Sequence, residues 1–347
     1  MAAKTHLALL QEEPKGPLIV RSVPTVSPGK GQIQIKVKAA SLNPIDYKQF
    51  AYAYVSDKFP YIGGGDLGGI VTQVGEGVTH VKEGDHVCNA VFNFIEPMSC
   101  SAFQEYSTCD ANPAVKIPDT VSFSQAATIP ITFYTALVGL CFPTLLNLRW
   151  PGDPFPTPNP TPILVWGAGS GIGRHCVQIL KAANYSHIIA TASPHRFNDV
   201  KSVGAKAVFN YQDADVVEQI QNYLGDEKLL YGYDAISTPA SLVPLVKIIS
   251  PGGTLATVTP QGQDILPFEG ADIKRARTFL AVILKPEGRA FGRKCGEYLQ
   301  KILEDGPYSF ISYREFSGGL AGGGVQKGAD MLRLNENHGD KIVIPDI

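Results

Sequence analysis

Hydrophobic and polar positions follow two different periods along this chain. In the first third the period is two. Gln32–Ala39 reads QIQIKVKA, apolar and polar by turns, the mark of a half-buried strand. Leu18–Val23 reads as a strand before it, with turn chemistry at Gly29-Lys30-Gly31 between the two. Ile70, Val71 and Val74 make another strand, and Val81–Val87 is a turn feeding a further one. Short strands parted by glycine turns predict a barrel-like, partly open β domain up to about residue 120. Within it, five glycines among Gly63–Gly69 require close backbone packing. Ser41–Lys48 is a short loop in which Pro44 starts a helical turn, and Tyr52, Tyr54, Phe59 and Tyr61 make an aromatic loop. Val121–Ala127, capped by Asp119 or Thr120, and Ile131–Leu140 read as helices.

The pattern then changes. Phe142–Pro162 carries Pro143, Pro151, Pro154, Pro156, Pro158, Pro160 and Pro162, which forbids regular helix or central strand. Beyond it, strands and helices alternate. Ile163–Trp166, His187–Ala190, Ala207–Asn210, Tyr233–Ser237 and Gly252–Val258 read as strands. Phe197–Val203, Ala214–Leu224 and Ala240–Ile249 read as helices. This alternation predicts a parallel sheet with right-handed crossovers. Arg293–Leu303 is a long amphipathic helix and His338–Ile344 a closing strand.

The stretch Thr161–Ala190 carries the clearest chemistry. Gly167, Gly169, Gly171 and Gly173 follow the first strand, and Cys176, Val177, Ile179 and Leu180 recur at helical spacing after them. A glycine turn between strand and helix presents bare amides at a helix N-terminus, which suits a pyrophosphate. NAD-binding chains place an acid at the end of the next strand, for the ribose 2′-hydroxyl. Here Thr191-Ala192-Ser193-Pro194-His195-Arg196 follows, with no acid before Asp199. A hydroxyl, an imidazole and a guanidinium suit a 2′-phosphate, so the cofactor read from these residues is NADPH. The competing reading is a solvated basic loop.

Composition narrows the field. At 347 residues, with 44% hydrophobic and 18% charged, the chain has the make-up of a soluble two-domain enzyme. A net charge of −2 gives no field for nucleic acid or a membrane surface. The first residues lack a signal pattern, and no membrane span is evident, which points to a cytoplasmic protein. Cys88, Cys100, Cys109, Cys141, Cys176 and Cys295 form no C-x-x-C pair, so buried thiols are expected rather than a metal cluster or disulfides.

Taken in order, Asn43-Pro44, the Gly63–Gly69 run, Val81–Val87 and the glycine turn resemble the medium-chain dehydrogenase/reductases. The chain is most similar to their zinc-free quinone and enoyl reductase branch. The proline-rich insertion and the Ser193-Pro194-His195 turn resemble fungal trans-acting enoyl reductases of polyketide synthesis. The resemblance implies an α/β fold: a split GroES-like, β-rich catalytic domain (residues 1–124 and 286–347) and an inserted Rossmann domain (125–285), a doubly wound parallel sheet. Zinc-dependent relatives carry Cys where Asn43 stands, His-Glu at Gly65-Asp66, and a later Cys near Ile131. The structural-zinc cysteines are missing too, so no metal is expected.

For the site, the resemblance implies Lys48 and Tyr54 as catalytic candidates, with Tyr47 and Tyr52 as further phenols, and Thr135, with Thr132 nearby, beside the nicotinamide. It implies cofactor contacts at Asp46, Lys48, Gly169, Ser170, Gly171, Ile172, Gly173, Ser193, His195, Arg196, Tyr211, Val258, Thr259, Lys341 and Ile342. Lys48 also reads as a surface lysine, and the threonines as helix residues bonded to their own backbone. The activity implied is hydride transfer from NADPH to an activated C=C bond of an enone, enoyl thioester or quinone. The alternatives are an NADPH-dependent aldehyde or alcohol reductase and a non-catalytic NADPH-binding partner protein. The implied partner is a polyketide synthase or a carrier-tethered substrate, and the chain is a monomer or homodimer.

Overall fold

In the computed structural model, residues 4–92, 98–258, 268–306 and 308–347 are described. The chain divides into two compact units, Met1–Ile131 with Ala281–Ile347, and Thr132–Leu280. The division falls at 131/132 and 280/281 because flanking residues are tied to the first unit. The Ile131 amide donates to Asp66 Oδ1 at 2.7 Å, and Asn112 Nδ2 donates to the Ile283 carbonyl at 3.2 Å.

The first unit opens with β1 (Thr5–Gln11), β2 (Leu18–Pro24), β3 (Gln32–Leu42), α1 (Pro44–Tyr52), β4 (Tyr61–Ile62) and β5 (Asp66–Val74). Then come β6 (His86–Ala90), β7 (Tyr106–Asp110), β8 (Val115–Lys116), α2 (Phe123–Ala127) and α3 (Pro130–Cys141), which runs into the second unit. That unit holds β9 (Ile163–Trp166), α4 (Gly171–Ala182), β10 (Ile188–Ala192), α5 (Phe197–Ser202) and β11 (Ala207–Asn210). It continues with α6 (Val216–Leu224), β12 (Tyr231–Asp234), α7 (Pro239–Ile248), β13 (Gly253–Thr257) and β14 (Ile273–Arg277). The chain closes in the first unit with α8 (Pro286–Asp305), β15 (Tyr313–Glu315), α9 (Gly324–Leu334) and β16 (Lys341–Pro345).

The first unit is β-rich and GroES-like. A small sheet runs β2-β1-β4, and a larger one runs β15-β16-β3-β5-β6-β8, with β7 also on β3. Strand β3 is its spine: Ile33, Ile35 and Val37 point into a core that includes Leu67, Val71, Val87 and Phe103. The second unit is Rossmann-like, a six-stranded parallel sheet in the order β11-β10-β9-β12-β13-β14. Leu164, Ile189, Ile220, Leu242 and Leu255 form its core. The proline-rich stretch holds neither helix nor ladder strand; one isolated bridge joins Asn159 to Tyr185.

Several elements differ from the sequence pattern. Helix α2 is capped by Ser122 rather than Asp119 or Thr120, because Gln125 completes a reciprocal capping box with it. The expected loop after Asn43 is the nine-residue helix α1, held by the same device between Asn43 and Asp46. Helix α9 is hidden in a glycine-rich stretch, and Gly328 faces Ile342 so closely that a Cβ there would lie 2.6 Å from its Cγ2. Among the described residues one stretch, Phe123–Cys141, is by length and composition able to cross a membrane, contrary to expectation; 78% of it is buried inside the protein, as in core helices. All six cysteines are free and buried, and burial pushes the Cys88 thiol up to about 12, so it is inert at neutral pH.

Candidate active site

In the second unit the strand order reverses between β9 and β12, and ligands of open α/β sheets bind at the carboxyl ends of such strands. At the end of β9, Gly167 turns the chain with φ +77°, and a Cβ there would collide with Ile236. The Gly167 amide donates to Thr191 Oγ1 at 3.0 Å, tying the turn to β10. Ser170 caps α4, its Oγ accepting from the Gly173 amide at 3.2 Å. Gly173 lies against the Gly167 carbonyl, leaving no room for a side chain. These contacts bring the first turn of α4, with the amides of Gly171 and Ile172, to the mouth of the turn. A diphosphate fits that cradle of amides, and Gly169–Ile172 are partly exposed to receive it.

The residues expected to read the ribose gather beside it. Arg196 ends a short 3-10 turn, Pro194–Arg196, and its stem lies over Gly169: a Cβ there would sit 3.3 Å from Cγ and 3.4 Å from Cβ of Arg196. Ser193 Oγ and the Tyr211 hydroxyl are 3.2 Å apart, joining the ends of β10 and β11. His195 is exposed and Tyr211 is 38% exposed.

Sequence reasoning missed the other half of this switch point. Asp234, read there as mid-strand, ends β12 and is buried. Its carboxylate accepts from the amides of Ile236 (3.0 Å) and Ser237 (2.9 Å) and from Ser241 Oγ (2.7 Å). Ser237 adopts φ +57°, and its hydroxyl donates to the Asp234 carbonyl and accepts from the Val258 amide at 2.8 Å. Asp234 therefore shapes the loop that carries Ile236 against Gly167 and holds Val258. The aspartate two and three residues before the amides it accepts from was the available signal. Thr259 lies outside the described residues.

In the first unit, Asn43, Gly65, Asp66 and Ile131, the positions where the resemblance implies zinc ligands in other members, lie together. Lys341 Nζ donates to Asn43 Oδ1 and Asp66 Oδ2, both at 2.9 Å. Asn43 Nδ2 donates to Asp66 Oδ2 at 2.8 Å, and Ser41 Oγ approaches the same oxygen at 3.3 Å. The Ile131 amide takes Asp66 Oδ1, and a Cβ on Gly65 would collide with the Ile131 side chain. Zinc needs free thiolate, imidazole or carboxylate donors. The donors here are an amide and a carboxylate already saturated by an ammonium, so the residues do not fit the ion. Among the described residues no three His, Cys, Asp or Glu side chains form a group able to hold a metal.

Asp46 and Lys341, expected at the cofactor, both bond within the first unit. Asp46 is buried and accepts from the amides of Asn43 (2.7 Å) and Gly64 (3.0 Å). Lys341 is 7% exposed and spent on Asn43 and Asp66. The Ile342 side chain lies wholly in the core. Thr132 and Thr135 are buried on α3, where the Thr135 carbonyl accepts from the Tyr233 hydroxyl at 3.0 Å. Lys48 and Tyr54 do meet: Lys48 Nζ stands 5.5 Å from the centroid of the Tyr54 ring. Burial lowers the Lys48 pKa and raises that of Tyr54, whose hydroxyl is buried without a hydrogen-bond partner. Tyr47 is half-buried and Tyr52 is 59% exposed.

Burial lifts the Asp46 carboxyl from 3.8 to about 6, against the Asn43 and Gly64 amides and Lys341, which pull it down. Between those values the folded chain keeps a proton that the unfolded chain has released. Stability therefore falls as pH rises through this window, by about 3 kcal/mol at roughly 1.4 kcal/mol per unit. Between about pH 4 and about pH 7, urea denaturation should show the parent losing about 3 kcal/mol more stability, or gaining that much less, than Asp46→Asn. Equal losses in both would contradict it.

A glycine turn at the switch point of a parallel sheet, joined to a β-rich GroES-like unit, defines a dinucleotide-dependent oxidoreductase. The sequence matches the alcohol dehydrogenase GroES-like domain over residues 29–119 and the zinc-binding dehydrogenase domain over residues 171–287. It is similar to a trans-enoyl reductase of Pyricularia oryzae, 30% identical over 97% of both chains. It is also similar to a zinc-type alcohol dehydrogenase-like protein of Schizosaccharomyces pombe, 33% identical over 70% of this chain and 69% of that protein. A quinone oxidoreductase of Pseudomonas syringae shares its fold, with a TM-score of 0.78 and 21% identity over 98% of this chain and 99% of that one. The chain belongs to the medium-chain dehydrogenase/reductase superfamily, in which the oxidoreductases use a nicotinamide cofactor.

Proposed function

We propose that this chain is an NADPH-dependent, zinc-independent reductase that delivers hydride to an activated carbon–carbon double bond of an enone, enoyl thioester or quinone. The observation that supports the reading is the Lys341–Asp66–Asn43 cluster, in which an ammonium takes up the donors at positions where the resemblance implies a Lewis acid in other members. Reducing a carbonyl directly leans on such an acid; conjugate addition needs less, because charge spreads to a more distant oxygen. The name of the trans-enoyl reductase relative supports the same substrate class.

Bound NADPH would supply a hydride to the β-carbon, leaving this chain's residues to meet the charge on the carbonyl oxygen and to provide the proton for the α-carbon. Lys48, half-buried as an ammonium over the Tyr54 ring, suits donation to the oxygen on which charge develops. The Tyr54 phenol keeps its proton far above neutral pH and has no internal acceptor, which fits it to hold the proton in reserve. On the Rossmann unit, Ser193, His195, Arg196 and Tyr211 supply the cation and hydroxyls that suit a 2′-phosphate. We further propose a carrier-tethered substrate presented by a polyketide synthase, in line with the relatives named trans-enoyl reductases.

Loss of nicotinamide absorbance with a panel of enones, enoyl thioesters and quinones is the expected result. No turnover with any of them overturns the reading. A second reading, aldehyde reduction, is favoured by the zinc-type alcohol dehydrogenase-like relative; it predicts an allylic alcohol from an unsaturated aldehyde.

A further inference from the structure

Arg174 stands where a cation is least welcome. It lies in the first turn of α4, at the positive end of the helix dipole, and is only 4% exposed. A buried guanidinium there has to be compensated. One partner is Asp199 on α5: Nε donates to Oδ1 at 3.1 Å and Oδ2 at 3.0 Å, and Nη2 donates to Oδ1 at 2.9 Å.

Asp199 is the first acid after β10, three residues beyond Arg196 on a continuous helical path. In this fold an acid after the second strand is the group that takes the ribose 2′-hydroxyl of NAD and repels the 2′-phosphate of NADPH. The geometry ties that acid to α4. Its carboxylate is gripped from the helix that begins at the glycine turn, and its charge is cancelled by a fixed guanidinium. The same grip fixes the Ser193–Arg196 turn at a third point, besides the Ser193–Tyr211 contact and the Arg196 stem over Gly169.

We infer that Arg174 is a positioning residue for cofactor choice: by holding and neutralising Asp199, it keeps an acid out of the 2′-phosphate seat and makes the chain select NADPH over NADH. This rests on the NADPH reading above. Arg174→Met removes the guanidinium and keeps much of the stem. Titration of each cofactor by nicotinamide fluorescence should show the NADPH-to-NADH preference falling by roughly tenfold or more, as expected for a freed carboxylate close to the phosphate. Arg174→Met/Asp199→Asn should return the preference most of the way to the parent value. A merely structural role predicts equal weakening of both cofactors and no rescue, and that outcome overturns the inference. If the parent itself binds both cofactors alike, the NADPH reading fails first. If the parent prefers NADPH and Arg174→Met keeps the same preference, this inference alone fails. Should Arg174→Met not fold, Arg174→Lys, which keeps the charge but not the two-pronged bond, carries the test: a reduced preference supports the inference and an unchanged one overturns it.

Discussion

Lys341→Met should lower the folding stability of this protein by about 3–5 kcal/mol, the usual cost of removing one partner from a buried ion pair. The pair is Lys341 with Asp66, at 2.9 Å, with the Lys341 side chain 8% and the Asp66 side chain 0% exposed. Methionine fills a similar volume, so the loss comes from charge rather than from a cavity. Asp66 would keep the Ile131 amide, Asn43 and Ser41 as donors, yet would lack a cation. Lys341→Met/Asp66→Asn should recover part of the stability, because a neutral amide needs no counter-charge. Denaturant midpoints for the parent and both variants check this. A loss below about 1 kcal/mol in Lys341→Met would show that the pair does not hold the C-terminal strand in place.

Arg196→Ala should weaken NADPH binding roughly ten- to hundredfold, the range for losing a charge-assisted, two-pronged bond to phosphate. NADH should change little, since it carries no 2′-phosphate. The stem of Arg196 lies over Gly169, so part of the loss shared by both cofactors reports packing at the turn, and the difference between them reports the phosphate. Parallel titrations of the two cofactors separate these contributions. Equal weakening would contradict the assignment of Ser193, His195, Arg196 and Tyr211 to the 2′-phosphate.

What the sequence made legible follows from distance along the chain. The dinucleotide turn could be read because its strand, glycines, cap and helix are consecutive, and each local preference agrees with its neighbours. The basic turn after β10 was legible on the same ground. Helix α9 was not, because its glycines serve close packing against β16, which only the folded chain discloses. The cluster at Asp66 joins residues 275 and 298 positions apart, so the bonding of Lys341 to it was out of reach. That Lys341 serves this cluster, and that Asp46 braces the Gly64 amide, did not show in the sequence. Asp199 read only as the first acid after the basic turn; its bonds to Arg174, across 25 positions, needed the folded chain.

The most direct test of the central claim is the product formed from cinnamaldehyde with NADPH carrying deuterium at the transferable C4 position, using protein dialysed against a chelator. The account predicts the saturated aldehyde, with deuterium on the carbon β to the carbonyl and a rate unchanged by chelation. An allylic alcohol with deuterium on the carbinol carbon, or activity restored only by added zinc, would contradict it.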